Sequence, residues 1–343
     1  MKFFVSALFS LVVFFAGQAH ADDCSLQRVV DMPITYDDHG APTVMVTIAG
    51  TQHRFILELG FSISALTAAL ADSLNMHRTT SANVGAWVFE MPTDKIASVS
   101  GLQFGNVVIK TAHFFEVPKL PDGDEGVLGL DVLETFDFEL DLGHNRAALY
   151  LPNSCPGAGV YWANSSAAIP IKMQKLGNIL IPMMLDGKAI DVGLSSEGGP
   201  DLMPTPVTKA LFGIDESSPD IKPAEENNDL NKFASLMALR PGAEKMRFFR
   251  YPFKMLSAGG LAIENPNIVL FTDKPPSQCI DKARPNRSDW DDPGATITCY
   301  GGALLRLQLQ QLKQLRMYFA FRQKMLYLTG ASATLPAPTA IAK

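Results

Sequence analysis

The chain has 343 residues, a formal net charge of −6, 47% apolar residues and 19% charged ones. The acidic balance excludes a nucleic-acid binder, which would need clustered Lys and Arg against phosphates. The apolar fraction is enough to fill one large core or two medium ones.

The N-terminus reads as an export signal. Lys2 is followed by the apolar run Phe3–Phe15 and by small residues ending in Ala19-His20-Ala21. That order, basic then apolar then A-x-A, is the layout of a secretory signal peptide over residues 1–21. The run is shorter than the roughly 20 apolar residues a membrane helix needs. No later segment is long and apolar enough to span either. The expectation is an exported bacterial protein, periplasmic or secreted, without a membrane span. In such a chain Cys24, Cys155, Cys279 and Cys299 read as two disulfides, for which three pairings exist. No two cysteines have C-x-x-C spacing and none lies beside a His, so neither a metal nor a cofactor is expected.

Thr43–Gly50 is strand-like and ends in a turn glycine, and Phe55-Ile56-Leu57 is a second apolar run. A helix-like segment with Leu66, Leu70 and Leu74 follows. Ser100–Asn106 leads into the extended run Val107–Phe115. Val127-Leu128-Gly129 opens a short helix, Leu130–Leu133, and Ala148–Leu151 closes as a strand. The same order then recurs. Leu180–Gly187 and Val192-Gly193-Leu194 repeat the two runs, and Met203, Val207 and Leu211 repeat the helix-like segment. Gly50 and Gly187, Leu66 and Met203, and Leu74 and Leu211 are all separated by one offset, 187 − 50 = 137. One gap-free register at three anchors marks an internal repeat. Gly259–Asn265 resembles Ser100–Asn106, and Ile268–Phe271 supplies the extended run. Cys299-Tyr300-Gly301 takes the part of Val127-Leu128-Gly129, opening a longer helix from Ala303 to Leu315 whose apolar face carries Leu304, Leu305, Leu312 and Leu315. Met325–Leu328 is the closing strand.

The division that follows is a mainly β chain with two tandem lobes, residues 22–155 and 169–330. Residues 156–168 form a linker, and an Ala/Pro-rich disordered tail covers 331–343. Asp215–Arg247 is polar and reads as a long surface excursion. The layout favours Cys24–Cys155, at the two ends of lobe one, and Cys279–Cys299, around the insertion Ile280–Thr298. Closing a loop of about 20 residues stabilises by roughly 3 kcal/mol in the chain-entropy model.

The string Gly50–Ser64 resembles the start of retropepsin-like and pepsin-like aspartic proteases, where a strand pair leads into Asp-Thr-Gly-Ala-Ser. Val127-Leu128-Gly129 and the strand to Leu142 resemble that family's apolar-apolar-Gly turn and helix. The likeness spans both lobes, roughly 43–152 and 169–329. It implies acid-protease lobes around a cleft, with one aspartate from each lobe sharing a proton across it. It also implies a flap, for which Ser81–Ile96, with Trp87 and Phe89, is the candidate, and a peptide or extended protein segment as partner.

Both aspartates are replaced. The lobe-one position holds Glu58, in Glu58-Leu59-Gly60. The 137-residue offset puts Ser195 at the lobe-two position, in Ser195-Ser196-Glu197. Leu59 removes one of the two hydroxyls that would brace the loops, while Ser196 retains the other. Gly60, Ser62 and Ser196 join Trp87 and Phe89 as the binding residues the resemblance implies. A second register would use Asp191, in Asp191-Val192-Gly193-Leu194-Ser195. Glu58 carries its head group about 1 Å further than Asp, and misplacement of that size costs on the order of 100-fold in rate. Loss of the second acid removes a proton donor that contributes about 100- to 10,000-fold. The sequence therefore points to a peptide-binding pseudoprotease. An active but atypical envelope endopeptidase and a structural envelope domain are the alternatives.

Overall fold

The structure is a computed structural model that describes residues 26–80, 86–88, 91–152, 160–173, 179–196, 198–225, 230–231, 234, 246–272 and 303–332. The signal-peptide segment, all four cysteines, Phe89, Glu197 and residues 333–343 lie outside the described residues. No helix among the described residues is long and apolar enough to cross a membrane.

The two-lobed, mainly β architecture is present, and it starts from two matching hairpins. Strands Pro42–Ile48 and Thr51–Leu57 are joined by Ala49-Gly50, both at positive φ (51° and 81°). Strands Ile179–Leu185 and Lys188–Leu194 are joined by Asp186-Gly187, at 44° and 79°. Positive φ at both central residues is the two-residue turn whose twist suits a hairpin, and Gly meets it without steric cost.

Each second strand is then flanked by a parallel strand from later in its own lobe. Phe55-Ile56-Leu57 pairs with Gly126-Val127-Leu128, and Val192-Gly193-Leu194 pairs with Leu305-Arg306-Leu307. The strands Ala65–Thr67 and Asp201–Pro204 lie antiparallel to these and feed the helices Ala68–Ser73 and Thr205–Phe212. The pattern is closed by Phe115↔Ala65 and Val269↔Leu202, parallel pairs in the two lobes.

These pairings correct two expectations for the second half of the repeat. Leu305–Leu307 is a strand, and the helix is only Leu309–Leu312, as short as Leu130–Leu133 in lobe one. The apolar residues from Leu304 to Leu315 were spaced for a helical face. Their alternation Leu305-Arg306-Leu307 instead satisfies a parallel ladder, and tertiary pairing overrides the periodicity. The counterpart of Gly129 is Gln308, not Gly301. The hairpin turns also align differently. Gly105-Asn106 turns between Lys95–Phe104 and Val107–Val117, whereas Gly259-Gly260 turns between Met255–Ala258 and Leu261–Glu264. Ser100–Asn106 and Gly259–Asn265 are therefore out of step.

A six-stranded sheet joins the lobes, three strands from each. Asp137–Asp141 pairs antiparallel with Leu315–Ala320, Phe138 opposite Phe319. Alternate side chains face opposite ways. Phe138 and Leu140 enter the main core, Phe138 stacking on Phe319 at 6.0 Å between ring centres. Asp137, Glu139 and Asp141 face the other way and are also buried. The segment around Val160 and Trp162 covers that face, so the described part of the stretch between the lobes is a packed strap. Glu139 there receives the Tyr150 hydroxyl at 2.6 Å, the Tyr161 hydroxyl at 2.9 Å and the Arg316 guanidinium at 2.7 Å. The excursion in lobe two is likewise partly packed: Leu230 is buried with Leu202, Val269 and Phe271.

Candidate functional site

The two parallel strand pairs end side by side at the lobe junction. Glu58 N–H donates to the Leu128 carbonyl at 3.1 Å, and Ser195 N–H donates to the Leu307 carbonyl at 2.9 Å. The two residues thus occupy equivalent places, each one step beyond its central strand. A Cβ built on Gly60 would lie 3.3 Å from Ser195 Cβ and 3.4 Å from the Leu194 carbonyl. The two loops are in contact.

Ser196 is the link between them. Its hydroxyl donates to the Leu57 carbonyl at 2.5 Å and accepts from Leu59 N–H at 3.1 Å. Those two backbone groups flank Glu58 in the opposite lobe. The reciprocal brace is absent because Leu59 has no hydroxyl, so the clamp runs one way.

Glu58 is 1% exposed, and Ser195 and Ser196 are as fully buried. Glu58 Oε1 accepts from Gly60 N–H at 2.5 Å and from Ser196 N–H at 3.2 Å, while Oε2 lies 3.3 Å from Ser196 Oγ. The longer side chain folds back onto its own loop and engages the other lobe's backbone. Gly60 permits this, since a Cβ there would meet Glu58 Oε1 at 2.7 Å.

A supporting layer lies beneath each loop. In lobe one Ser64 Oγ accepts from Gly129 N–H at 2.9 Å and donates to Asp131 at 2.6 Å. Burial holds the Asp131 carboxyl above its usual range, against the pull of the Ser64 donors. In lobe two Asp201 stands in the place of Ser64, and its carboxylate accepts Gln308 N–H at 2.9 Å. Burial pushes the Asp201 carboxyl up to about 7, with that one backbone bond opposing. Asp131, Asp201 and Gln308 did not stand out in the sequence, because none belongs to a motif of its own.

The remaining predicted residues are dispersed. Asp191 sits inside the strand Lys188–Leu194, opposite Pro182, with its carboxylate on Lys172 Nζ at 2.7 Å. The register that used it as a loop acid is corrected by that strand pairing. Ser62 is half-buried on the lobe-one loop. Trp87 lies on a small hairpin, Ala86–Val88 with Met91–Thr93, within the stretch expected to form a flap.

No family model matches the sequence, and no curated protein matches it. Among solved structures the chain is similar to basic 7S globulin from soybean, with TM-score 0.45 and 10% identity over 91% of this chain and 100% of that one. It is similar to conglutin gamma, a basic 7S globulin from lupine seeds, with TM-score 0.44 and 11% identity, covering 90% and 96%. It is also similar to a retropepsin-like aspartic protease from Rickettsia conorii, with TM-score 0.26 and 19% identity, covering 35% and 90%.

Proposed function

We propose that this is an exported, aspartic-protease-like protein that binds an extended peptide or protein segment between its lobes without hydrolysing it. One observation carries the reading: a single carboxylate, Glu58, stands where two would be needed, and it is bound by Gly60 N–H and Ser196 N–H. Ser195, at the position equivalent to Glu58, offers no acid to share a proton with it. The clamp from Ser196 keeps the two loops in register, which favours a scaffold retained for shape. An extended segment would add to the sheet edges through main-chain hydrogen bonds, with alternate side chains in pockets. The Ala86–Val88 and Met91–Thr93 hairpin would close over it.

The experiment is equilibrium capture of a diverse peptide library by the mature protein, with variants in the hairpin. Saturable binding that weakens in Trp87→Ser supports the reading. Absence of peptide binding would instead favour a structural envelope domain.

A further inference from the structure

The densest unexplained group of metal-ligating side chains lies on the rim of lobe one. After the strand Thr35–Tyr36 the chain turns through Asp37-Asp38-His39-Gly40, with Gly40 N–H on the Asp37 carbonyl at 2.9 Å and Gly40 at φ 81°. Asp37 Oδ1 fixes this turn by accepting His39 N–H at 2.9 Å and Ala41 N–H at 2.7 Å. Facing it is the loop Pro121–Gly123, where Asp122 Oδ2 accepts His39 N–H at 3.1 Å and meets His39 Nδ1. One ligating atom each from Asp37, His39 and Asp122 lies within 4.8 Å of the other two.

A second observation is independent of that grouping. Asp37 is 7% exposed, and its Oδ2 is buried with no hydrogen-bond partner. Asp124 is buried too, and its Oδ2 is likewise unpartnered. Arg54 contributes one guanidinium, on Asp124 at 2.5 Å, against three carboxylates. Leaving a carboxylate oxygen buried and unpaired is costly. A cation would satisfy it.

We propose that Asp37, His39 and Asp122 bind one divalent transition-metal ion, Zn2+ by its chemistry. An imidazole beside carboxylates suits Zn2+, whereas Ca2+ prefers oxygen alone. Tetrahedral bonds of about 2.0 Å place ligand atoms about 3.3 Å apart. The three ligand atoms here lie within 4.8 Å of one another, and the His39 side chain, 43% exposed, has room to rotate. The position also gives the ion a purpose. The His39 carbonyl lies 3.4 Å from a Cβ built on Gly198, just beyond Ser195-Ser196 in lobe two. An ion there ties the Asp37 turn to the Asp122 loop beside the lobe junction. The cysteine spacing that argued against a metal has no bearing on this set, in which Asp122 lies 83 positions beyond His39.

The test is calorimetric titration of EDTA-stripped mature protein with Zn2+, its free thiols blocked, against His39→Ala, Asp122→Asn and the exposed His113→Ala. The expected result is one saturable site, unchanged in His113→Ala. It is weakened in both His39→Ala and Asp122→Asn by at least about tenfold, since even outer-shell partners of a metal are worth that much. Each variant's near-ultraviolet circular dichroism confirms folding. The proposal is overturned by absence of saturable binding to the wild type, or by affinity unchanged in both variants. It is equally overturned if Ca2+ binds more tightly than Zn2+ through the same residues, because the imidazole would then not be a ligand.

Discussion

Ser196→Ala should loosen the lobe junction, and the structure sets the size of the effect. The hydroxyl accepts from Leu59 N–H and donates to the Leu57 carbonyl, both of them in the buried loop around Glu58. Alanine keeps the backbone and removes both bonds. A buried polar group left unpaired costs about 1–3 kcal/mol, so two such groups cost about 2–6 kcal/mol. That is a large share of the roughly 5–15 kcal/mol that holds a typical domain folded. The assay is urea unfolding followed by tryptophan fluorescence, comparing Ser196→Ala with Ser196→Thr and with Ser62→Ala. Threonine retains the hydroxyl and should recover most of the loss. Ser62 is half-buried on the same loop, and its truncation should stay within about 0.5 kcal/mol of the wild type. A Ser196→Ala protein as stable as the Ser62→Ala protein would refute the clamp.

Asp201 should make the protein lose stability as pH rises through about 7. Its carboxyl is raised above the unfolded value, so the folded state holds more protons between about pH 4 and 7; stability falls progressively through that window and levels off above it. Asp201→Asn retains the acceptor for Gln308 N–H and should flatten this profile. Between unfolding curves at pH 5 and pH 8 the variant should gain about 3 kcal/mol on the wild type, since about two pH units of that window lie in the interval. Arg316→Met should cost about 3–5 kcal/mol in the same assay, because the buried Glu139 and Asp141 would lose their shared guanidinium, leaving Glu139 only that of Arg146 at 3.6 Å. Gly60→Ala should push the Glu58 side chain away, since its Cβ would lie 2.7 Å from Oε1. Its crystal structure should show Glu58 displaced, and an unmoved Glu58 would contradict the packing described.

The two hairpins were legible because their signals are local. Period-two apolar runs and the turns Ala49-Gly50 and Asp186-Gly187 declare themselves in a few residues, and the 137-residue spacing followed from them. That spacing is the one across which Ser196 Oγ meets Leu59 N–H. The second half of the repeat was less legible. Leu305-Arg306-Leu307 is a strand only because Val192–Leu194 lies beside it, and nothing local distinguishes it from one turn of an amphipathic helix. The acids Asp137, Glu139 and Asp141 alternate like a solvent-facing edge. They are buried because the strap through Trp162 covers them and Arg316 arrives from the other lobe. The cluster of Asp37, His39 and Asp122 was equally hidden, since two loops far apart in sequence meet only in the fold.

The central claim is that a single buried carboxylate at the lobe junction does not support turnover. The most direct measurement is mass spectrometry of a diverse peptide library incubated with the mature protein from about pH 3 to 7, the range over which a carboxylate pair titrates. The prediction is intact peptides throughout, for the wild type and for Glu58→Ala alike. Cleavage by the wild type that disappears in Glu58→Ala would contradict the account and make Glu58 the catalytic acid of a working, atypical endopeptidase.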